Sequence, residues 1–228
     1  MLATPLFLGF VVMALASLAV YRRGSKQPEL RLHTYLHATV AFIAATGYLA
    51  MTRGVGTVVS MDGLHTFVAR YADWALTTPL LLAGLVLTAF HERRGAVPYL
   101  VAIVTLDVLM IGSGLIASLS PMLLDRLIWF LWSTAAFIGV LYLLWGPLRR
   151  ISRTDQTPAM DLAYNRTLLF LTVVWTLYPI VFAVGPEGLR MIGTAGSTWY
   201  ILLLDITAKV VFAFYATGQL ERAVKSAT

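Results

Sequence analysis

Seven long apolar segments follow one another along the chain, and short polar stretches separate them. A helix of about 20 apolar residues, rising ~1.5 Å per residue, crosses the hydrocarbon core of a bilayer. Segments of this length predict spans at residues 3–21, 32–52, 66–90, 97–119, 121–146, 160–184 and 192–219. The pattern therefore predicts an all-α membrane protein, a seven-transmembrane-helix bundle that makes one domain of residues 1–228.

The composition supports this interpretation and excludes several kinds of site. Of the 228 residues, 59% are hydrophobic and 12% are charged, as is typical of a membrane protein. The chain has no cysteine, so disulfides, thiolate metal sites and cysteine nucleophiles are excluded. Its four histidines form no zinc-binding HExxH motif, and we expect no metal. The chain begins without a basic segment, so we expect its first apolar stretch to be a span and not a removed signal.

The basic residues concentrate in alternate loops, which predicts how the bundle is oriented. The first, third and fifth loops and the C-terminal tail hold twelve of them, against three in the other loops. Because cytoplasmic loops are enriched in Lys and Arg, we expect an extracellular N-terminus and a cytoplasmic C-terminus in the inner (plasma) membrane. The net charge of +6 then reflects topology, and no nucleic-acid partner is expected. The twelve are Arg22, Arg23, Lys26, Arg31, Arg93, Arg94, Arg149, Arg150, Arg153, Arg166, Arg222 and Lys225, and the three are Arg53, Arg126 and Arg190.

Lys209 and Asp205 are isolated ionisable residues in the last span. A charged side chain near the bilayer centre costs roughly 3 kcal/mol, so such residues are functional candidates. Their spacing of four residues places them on one face of a helix, about 6 Å apart. A buried amine beside a carboxylate is suited to forming a Schiff base, because burial makes the amine nucleophilic. The alternative is a buried ion pair that only fixes helix packing.

The third span carries a cation, a carboxylate and a hydroxyl on one helix face. These are Arg70, Asp73 and Thr77, which are spaced three and four residues apart. In the predicted orientation Arg70 lies nearest the exterior, followed by Asp73 and then Thr77. This order, facing a buried lysine, is typical of a proton path. The alternative is a structural polar cluster that holds helices together.

Three motifs in spans three, six and seven resemble those of the microbial (type 1) rhodopsins. They are RYADWALTTP at 70–79, WTLYP at 175–179 and LDITAK at 204–209. The resemblance covers essentially the whole chain. Members of that family have seven helices and carry retinal as a protonated Schiff base, so the resemblance implies that retinal is the cofactor here.

The resemblance implies a role for each matching residue. Lys209 would bind retinal covalently, and Asp73 and Asp205 would form the counter-ion with Arg70 beneath them. Asp107 would make a structural hydrogen bond to the third span. The implied retinal contacts are Trp74, Thr78, Leu81, Met110, Gly114, Trp129, Ser133, Phe137, Trp175, Tyr178, Pro179 and Tyr48, and the two tyrosines would also hydrogen-bond Asp205.

Three positions on the third span distinguish activities within this family. Asp73 and Thr77 match the acceptor pair of outward proton pumps, whereas Gly84 stands where pumps usually carry a carboxylic proton donor. The set resembles the proteobacterial Asp-Thr-Gly group of light-driven proton pumps, in which a histidine is thought to support reprotonation. His37 is predicted to lie at the depth of Gly84, and its imidazole titrates near neutral pH, so we expect it to be the donor. The alternative is an interfacial His37, with water-mediated uptake through the gap at Gly84.

Four other positions bear on proton release and on partners. Glu187 matches one outer glutamate of the archaeal pumps, but Ser197 stands in place of the other, so late proton release is expected. Gly47 stands where proteobacterial pumps typically carry a histidine beside the acceptor. Phe130 fills the place where antenna-binding relatives carry glycine, so no carotenoid antenna is expected. Trimers and pentamers are common among relatives, and a homo-oligomer of one of these sizes is expected.

Together these matches imply a light-driven outward proton pump, which is an ion transporter and not an enzyme. Light would isomerise retinal on Lys209, and the proton would pass to Asp73 and leave past Arg70. His37 or nearby water would resupply the proton from the cytoplasm. Two alternatives remain open, a sensory rhodopsin that signals through a separate transducer and an inward proton pump.

Overall fold

The computed structural model describes residues 2–59, 65–90 and 94–226. Within this part of the chain, seven helices are long and apolar enough to cross a membrane, which confirms the predicted all-α, seven-helix fold. Arg93, one of the basic residues that predict the orientation, lies outside the described residues. The helices are α1 (Ala3–Lys26), α2 (Arg31–Thr52), α3 (Val68–Phe90), α4 (Val97–Leu119), α5 (Leu123–Asp155), α6 (Pro158–Val184) and α7 (Thr194–Lys225). We call the end of the bundle where α1 ends and α2 begins the cytoplasmic end, as the basic residues predict.

Several helices extend beyond the predicted apolar segments at this cytoplasmic end. α1 continues to Lys26, α5 to Asp155 and α7 to Lys225, past the predicted ends at 21, 146 and 219. A helix makes its backbone hydrogen bonds internally, so it can continue past its apolar residues into polar ones. The apolar segment therefore gives only the minimum length of the helix. α6 begins earlier than predicted because the Thr157 hydroxyl accepts a backbone N–H of the first turn, and Pro158 suits the first helical position.

α3 lies at the centre of the bundle. In its most apolar window 61% of the residues are buried, against 22% in α4 and 17% in α5. It packs against α2, α4 and α6. Polar side chains on such a helix must find their partners on neighbouring helices, because lipid offers none. The bundle therefore brings the polar face of α3 to an interior site.

A short β-hairpin, which the sequence pattern missed, precedes α3 at the extracellular end. Strand β1 (Thr57–Val59) pairs antiparallel with β2 (His65–Phe67), and Thr57 lies opposite Phe67. Gly56 directly before β1 has a φ of +68°, a left-handed conformation that glycine adopts without steric cost. Because α3 begins directly after Phe67, the hairpin fixes where that helix starts.

α7 is not a uniform α-helix. It is π-helical over Ile206–Val211, between α-helical segments at Thr194–Asp205 and Phe212–Lys225. Wider turns of this kind are rare and occur often at functional sites. Lys209 lies inside the π-helical segment, where its side chain is buried.

Candidate functional site

The amine of Lys209 lies between two carboxylates in the interior of the bundle. Its Nζ atom is 2.5 Å from Asp73 Oδ2 and 3.6 Å from Asp205 Oδ1. All three residues are at least 97% buried, with exposed fractions of 2%, 3% and 0%. Charges in such a dry environment persist only when they are paired. The structure thus brings Asp73 of α3 against Lys209 of α7. Asp73 lies closer to the lysine amine than Asp205, which is on the same helix as the lysine.

Asp205 is held by three hydrogen-bond donors from three helices. Tyr48 donates to Oδ2 at 2.8 Å, and Tyr178 donates to Oδ1 at 2.8 Å, as the resemblance implied. The indole N–H of Trp74 also donates to Oδ1, at 3.2 Å. The sequence analysis assigned Trp74 only as a contact of the retinal chain and missed this bond. An ionised carboxylate only accepts hydrogen bonds, so three donors fix Asp205 in position.

Asp73 has fewer partners than Asp205. Its Oδ1 atom makes no hydrogen bond to any residue that the structure describes. Thr77, one turn further along α3, donates its hydroxyl to the backbone carbonyl of Asp73 at 2.9 Å. Gly47 of α2 lies on the opposite side, where a Cβ atom would come within 3.1 Å of the Asp73 Cβ. The absence of a side chain at Gly47 therefore permits the close packing of α2 against the acceptor.

Arg70 lies one turn from Asp73 towards the extracellular end. Its side chain is buried, with 5% exposed, and its Cζ atom stacks over the Phe67 ring at 4.8 Å. A guanidinium over an aromatic face gains a cation–π attraction that is larger when the pair is desolvated. Two of its nitrogens, Nε and Nη2, make no hydrogen bond within the described part of the chain. Phe67 of the hairpin thus positions the guanidinium of Arg70, which was predicted to lie beside the counter-ion carboxylates.

A large cavity extends from Lys209 between the helices. Its empty volume, which includes space open to the surroundings, is about 1020 Å³. Lys209 lines the cavity among mostly apolar and aromatic side chains, so the walls fit the long apolar cofactor that the sequence implies. The predicted contacts on the wall are Trp74, Thr78, Leu81, Met110, Gly114, Ser133, Phe137, Trp175, Tyr178, Pro179 and Lys209.

Two predicted contacts are not among the described residues of this wall. Trp129 has 36% of its surface exposed, whereas its neighbour Phe130 lines the cavity and stacks on Phe182 with ring centres 5.0 Å apart. At ~100° per residue, Phe130 lies only about 20° around the helix from Phe137, while Trp129 lies about 80° away. Phe130 thus lies on the described wall, and the contact of Trp129 with retinal stays a prediction. Tyr48 is fully buried and acts through its bond to Asp205.

Two hydrogen bonds between helices hold the middle of the wall. The Thr78 hydroxyl lies 2.6 Å from Asp107 Oδ2, which confirms the predicted pairing of α3 with α4. Ser133 of α5 donates to the backbone carbonyl of Met110 on α4 at 2.7 Å. Buried polar groups cost free energy unless they are paired, so these bonds let Asp107 and Ser133 sit in an otherwise apolar region.

A second, smaller cavity lies nearer the cytoplasmic end. It has an empty volume of about 340 Å³, and both His37 and Gly84 line it, as their predicted common depth requires. A Cβ atom on Gly84 would meet no heavy atom within 4 Å, so the glycine leaves open space. His37 is 4% exposed and packs edge-on against Phe212 at 5.5 Å. Leu81 lines both cavities and therefore lies between them.

Glu187 and Ser197 lie at the extracellular end of the large cavity, and both line its wall. Glu187 is in the turn between α6 and α7 and is 8% exposed. Burial raises the pKa of its carboxyl above the ordinary value of 4.5, although the charges of Arg70 and Arg126 act to lower it. Arg126 also fixes the turn, because its Nη1 donates to the Glu187 carbonyl at 2.9 Å. The sequence analysis assigned no role to this arginine.

The chain matches known proteins of one family over nearly its full length. Residues 1–220 match the family described as bacteriorhodopsin-like protein. Cruxrhodopsin-1 of Haloarcula argentinensis is 38% identical over 219 residues, which cover 91% of this chain and 85% of the relative. Archaerhodopsin-1 of Halorubrum ezzemoulense is 37% identical over 194 residues, which cover 84% of this chain and 73% of the relative.

Two solved structures have the same fold. The thermophilic rhodopsin of Rubrobacter xylanophilus has a TM-score of 0.93 and 37% identity, covering 98% of this chain and 97% of its own. The rhodopsin of Coccomyxa subellipsoidea, a light-driven proton pump, has a TM-score of 0.86 and 30% identity, covering 95% of each chain. The family match, the relatives and the lysine between two carboxylates agree, and the chain belongs to the bacteriorhodopsin-like family as a microbial (type 1) rhodopsin, a multi-pass protein of the cell membrane.

Proposed function

We propose that this rhodopsin is a light-driven outward proton pump that carries retinal on Lys209. The observation that carries the proposal is that Lys209 lines a large, mostly apolar cavity while its nitrogen lies 2.5 Å from Asp73 Oδ2. The family membership supports it, since the related rhodopsin of Coccomyxa subellipsoidea is a light-driven proton pump. In this role the protein moves an ion and is not an enzyme.

The residues of the large cavity would hold retinal along its length. Trp74 and Trp175 both line the wall, and Pro179 and Tyr178 lie beside the latter. Retinal bound as an imine to Lys209 Nζ would supply visible-light absorption and an isomerisation that changes the affinity of Nζ for its proton. The apolar wall keeps water away from Nζ, so the proton goes to a protein group and not to solvent.

Asp73 is the proton acceptor, because the two carboxylates beside Nζ are not equivalent. Asp73 Oδ2 lies 1.1 Å closer to Nζ than Asp205 Oδ1, at 2.5 Å against 3.6 Å. Both oxygens of Asp205 already accept hydrogen bonds from Tyr48, Tyr178 or Trp74. A carboxylate bound by several donors is a weaker base than one with a free oxygen. Asp205 therefore acts as a fixed negative charge, and Asp73 receives the proton.

The proton leaves towards the extracellular end past Arg70. Arg70 lies one helical turn from Asp73 towards the extracellular end. Its Nε and Nη2 donors have no partner in the described residues. They can stabilise the carboxylate or a water that carries the proton onward. Glu187 and Ser197 line the same end of the cavity, so among the described residues of this end Glu187 is the only carboxylate. Release from a glutamate pair is thus unavailable, which supports late release.

His37 resupplies the proton from the cytoplasmic side. It lines the small cavity with Gly84, on the cytoplasmic side of Leu81. The open space at Gly84 leaves room for water molecules, which would carry the proton from the imidazole towards Nζ. In the alternative, water alone crosses this space and His37 is only part of the wall.

The same structure bears on two expected partners. Phe130, stacked on Phe182, occupies the wall where antenna-binding relatives carry glycine, so we propose that no carotenoid antenna docks there. The outer helices present large exposed apolar side chains that lipid or a second copy can cover. A trimer or pentamer stays our proposal for the assembly.

Illumination of cells that express the chain and are supplied with retinal tests the function. An outward pump acidifies the medium, and a protonophore abolishes the signal. Alkalinisation of the medium would instead establish an inward pump. A slow photocycle without any change in bulk pH would favour a sensor that signals through a separate transducer.

A further inference from the structure

A second histidine lies one helical turn from His37 on the cytoplasmic side. His33 is in the first turn of α2, which begins at Arg31, and it lines the same small cavity as His37. Residues four apart share one helix face at a separation of about 6 Å. His33 is partly exposed, whereas His37 is 4% exposed. One imidazole therefore reaches the cytoplasmic surface while the other is enclosed.

Apart from the two histidines, the described lining residues offer hydroxyls and no other titratable group. Thr88 donates to the carbonyl of Gly84 at 2.8 Å, and Thr167 donates to the carbonyl of Ala163 at 2.8 Å. Each hydroxyl oxygen can still accept a hydrogen bond. The remaining described lining residues are apolar. Among the described residues of this wall, only the two histidines have side chains that exchange a proton through a ring nitrogen.

Two arginines, one on α1 and one on α6, have partners on α7. Arg23 of α1 lies 2.8 Å from Glu221 of α7. Arg166 of α6 donates to Gln219 of α7 at 3.2 Å. These contacts tie the ends of α1 and α6 to α7, and the titratable groups among the described lining residues of the cavity both lie on α2. A solvent proton that moves along this face meets His33 before His37.

We propose that His33 is the cytoplasmic uptake group and passes its proton to His37. The proposal rests on the proposed pump and adds a residue to its cytoplasmic half. A proton from the medium binds one ring nitrogen of His33, and the proton on the other ring nitrogen moves to His37. When His37 has given its own proton to Lys209 Nζ, it is neutral and can accept this one. Each transfer moves one proton, and the net result is the passage of one proton from the medium to Nζ.

The isosteric pair His33→Gln and His33→Glu separates titration from shape. We measure proton uptake with a pH-indicator dye in the medium and reprotonation of Nζ by the recovery of the visible band after a flash. In His33→Gln we expect uptake to slow about tenfold and to become proportional to the proton concentration, because direct protonation of a buried group then limits it. Reprotonation of Nζ in a single turnover should stay within about twofold, since His37 still holds its proton. His33→Glu should restore uptake, since a carboxyl also exchanges protons with the medium.

Two further variants, His65→Gln as a control and His37→Gln, separate a failure of the His33 proposal from a failure of the relay. His65→Gln makes the same chemical change on the extracellular strand β2 and should leave uptake unchanged. Wild-type uptake in His33→Gln, or equal rates in the Gln and Glu variants, would overturn the role of His33 while light-driven acidification persists. Failure of the proposed function itself is distinct, because the wild-type protein would then not acidify the medium. An unchanged recovery of the visible band in His37→Gln would overturn the relay at its second group.

Discussion

Gly47 of α2 and Asp73 of α3 approach so closely that a Cβ atom on Gly47 would lie 3.1 Å from the Asp73 Cβ. This is closer than ordinary packing of two side-chain carbons, so Asp73 must give way by a few tenths of an ångström if residue 47 gains a side chain. The proposed acceptor is thus positioned partly by the lack of a side chain on the neighbouring helix.

Gly47→Ala is expected to disturb the acceptor. Alanine favours a helix over glycine by up to ~1 kcal/mol, but overpacking costs about 1–3 kcal/mol. We therefore expect no gain in the free energy of unfolding, together with a several-fold slower proton transfer to Asp73. The control is Gly112→Ala, where a Cβ atom meets nothing within 4 Å and the helix preference should appear as a gain. Equal gains in thermal stability for the two variants would contradict the close contact.

The features that helix geometry fixes could be predicted from the sequence. The spacing of Lys209 from Asp205 and the common depth of His37 and Gly84 follow from a constant rise per residue. The pairing of Asp73 with Lys209 joins helices that are far apart along the chain, and no local pattern indicates it. That contact entered the prediction only through the resemblance to a family.

The features that the sequence missed depend on tertiary contacts or on short elements. The strands β1 and β2 have three residues each, which is too few for an alternating pattern to stand out. The bond from Trp74 to Asp205 depends on a side-chain orientation between two helices. Phe130 could have been found, because it continues the stripe of Ser133 and Phe137 at helical spacing.

Substitution of the two carboxylates beside Lys209 should have different effects. Asp73→Asn should abolish light-driven acidification, because an amide cannot accept the proton. Asp205→Asn should lower the free energy of unfolding by at least about 1.5 kcal/mol, and by more than Asp73→Asn does. The three donors that bind the charged carboxylate of Asp205 would then face a neutral amide. Thermal bleaching of the visible band and the light-induced pH change measure both effects. An Asp73→Asn protein that still pumps would exclude Asp73 as the acceptor.

Arg126 should matter for stability although it is far from Lys209. Its Nε and Nη2 donate to the Ser120 carbonyl, and its Nη1 donates to the Glu187 carbonyl, so it joins two extracellular turns. Arg126→Ala leaves both buried carbonyls without this donor, at about 1–3 kcal/mol each. Arg126→Lys should lose less, because one ammonium can still reach a carbonyl. Thermal bleaching of both variants tests this order, and an alanine variant as stable as the wild type would refute it.

Glu187 should make the stability depend on pH. Burial raises its folded-state pKa above the ordinary 4.5, so the folded protein binds the proton more tightly than the unfolded chain does. Its contribution is therefore fully present below pH 4.5 and is lost as the pH rises through the folded-state pKa. Glu187→Gln removes this loss, so the melting temperature of the variant minus that of the wild type should grow between pH 4 and pH 8. A difference that stays constant over this range would show that Glu187 does not titrate differently on folding.

His37→Ala should slow the return of the proton to Lys209 Nζ by about 10²-fold, the lower range for loss of a positioned general acid. His37 lines the cavity at Gly84, and the space left by alanine admits a small weak acid. Azide should therefore restore the rate in proportion to its concentration, because it carries protons to the same place. Thr39→Ala serves as the control, since Thr39 is exposed two residues further along α2 and should neither slow recovery nor respond to azide. A His37→Ala protein that recovers at the wild-type rate without azide would assign the resupply to water in the gap at Gly84.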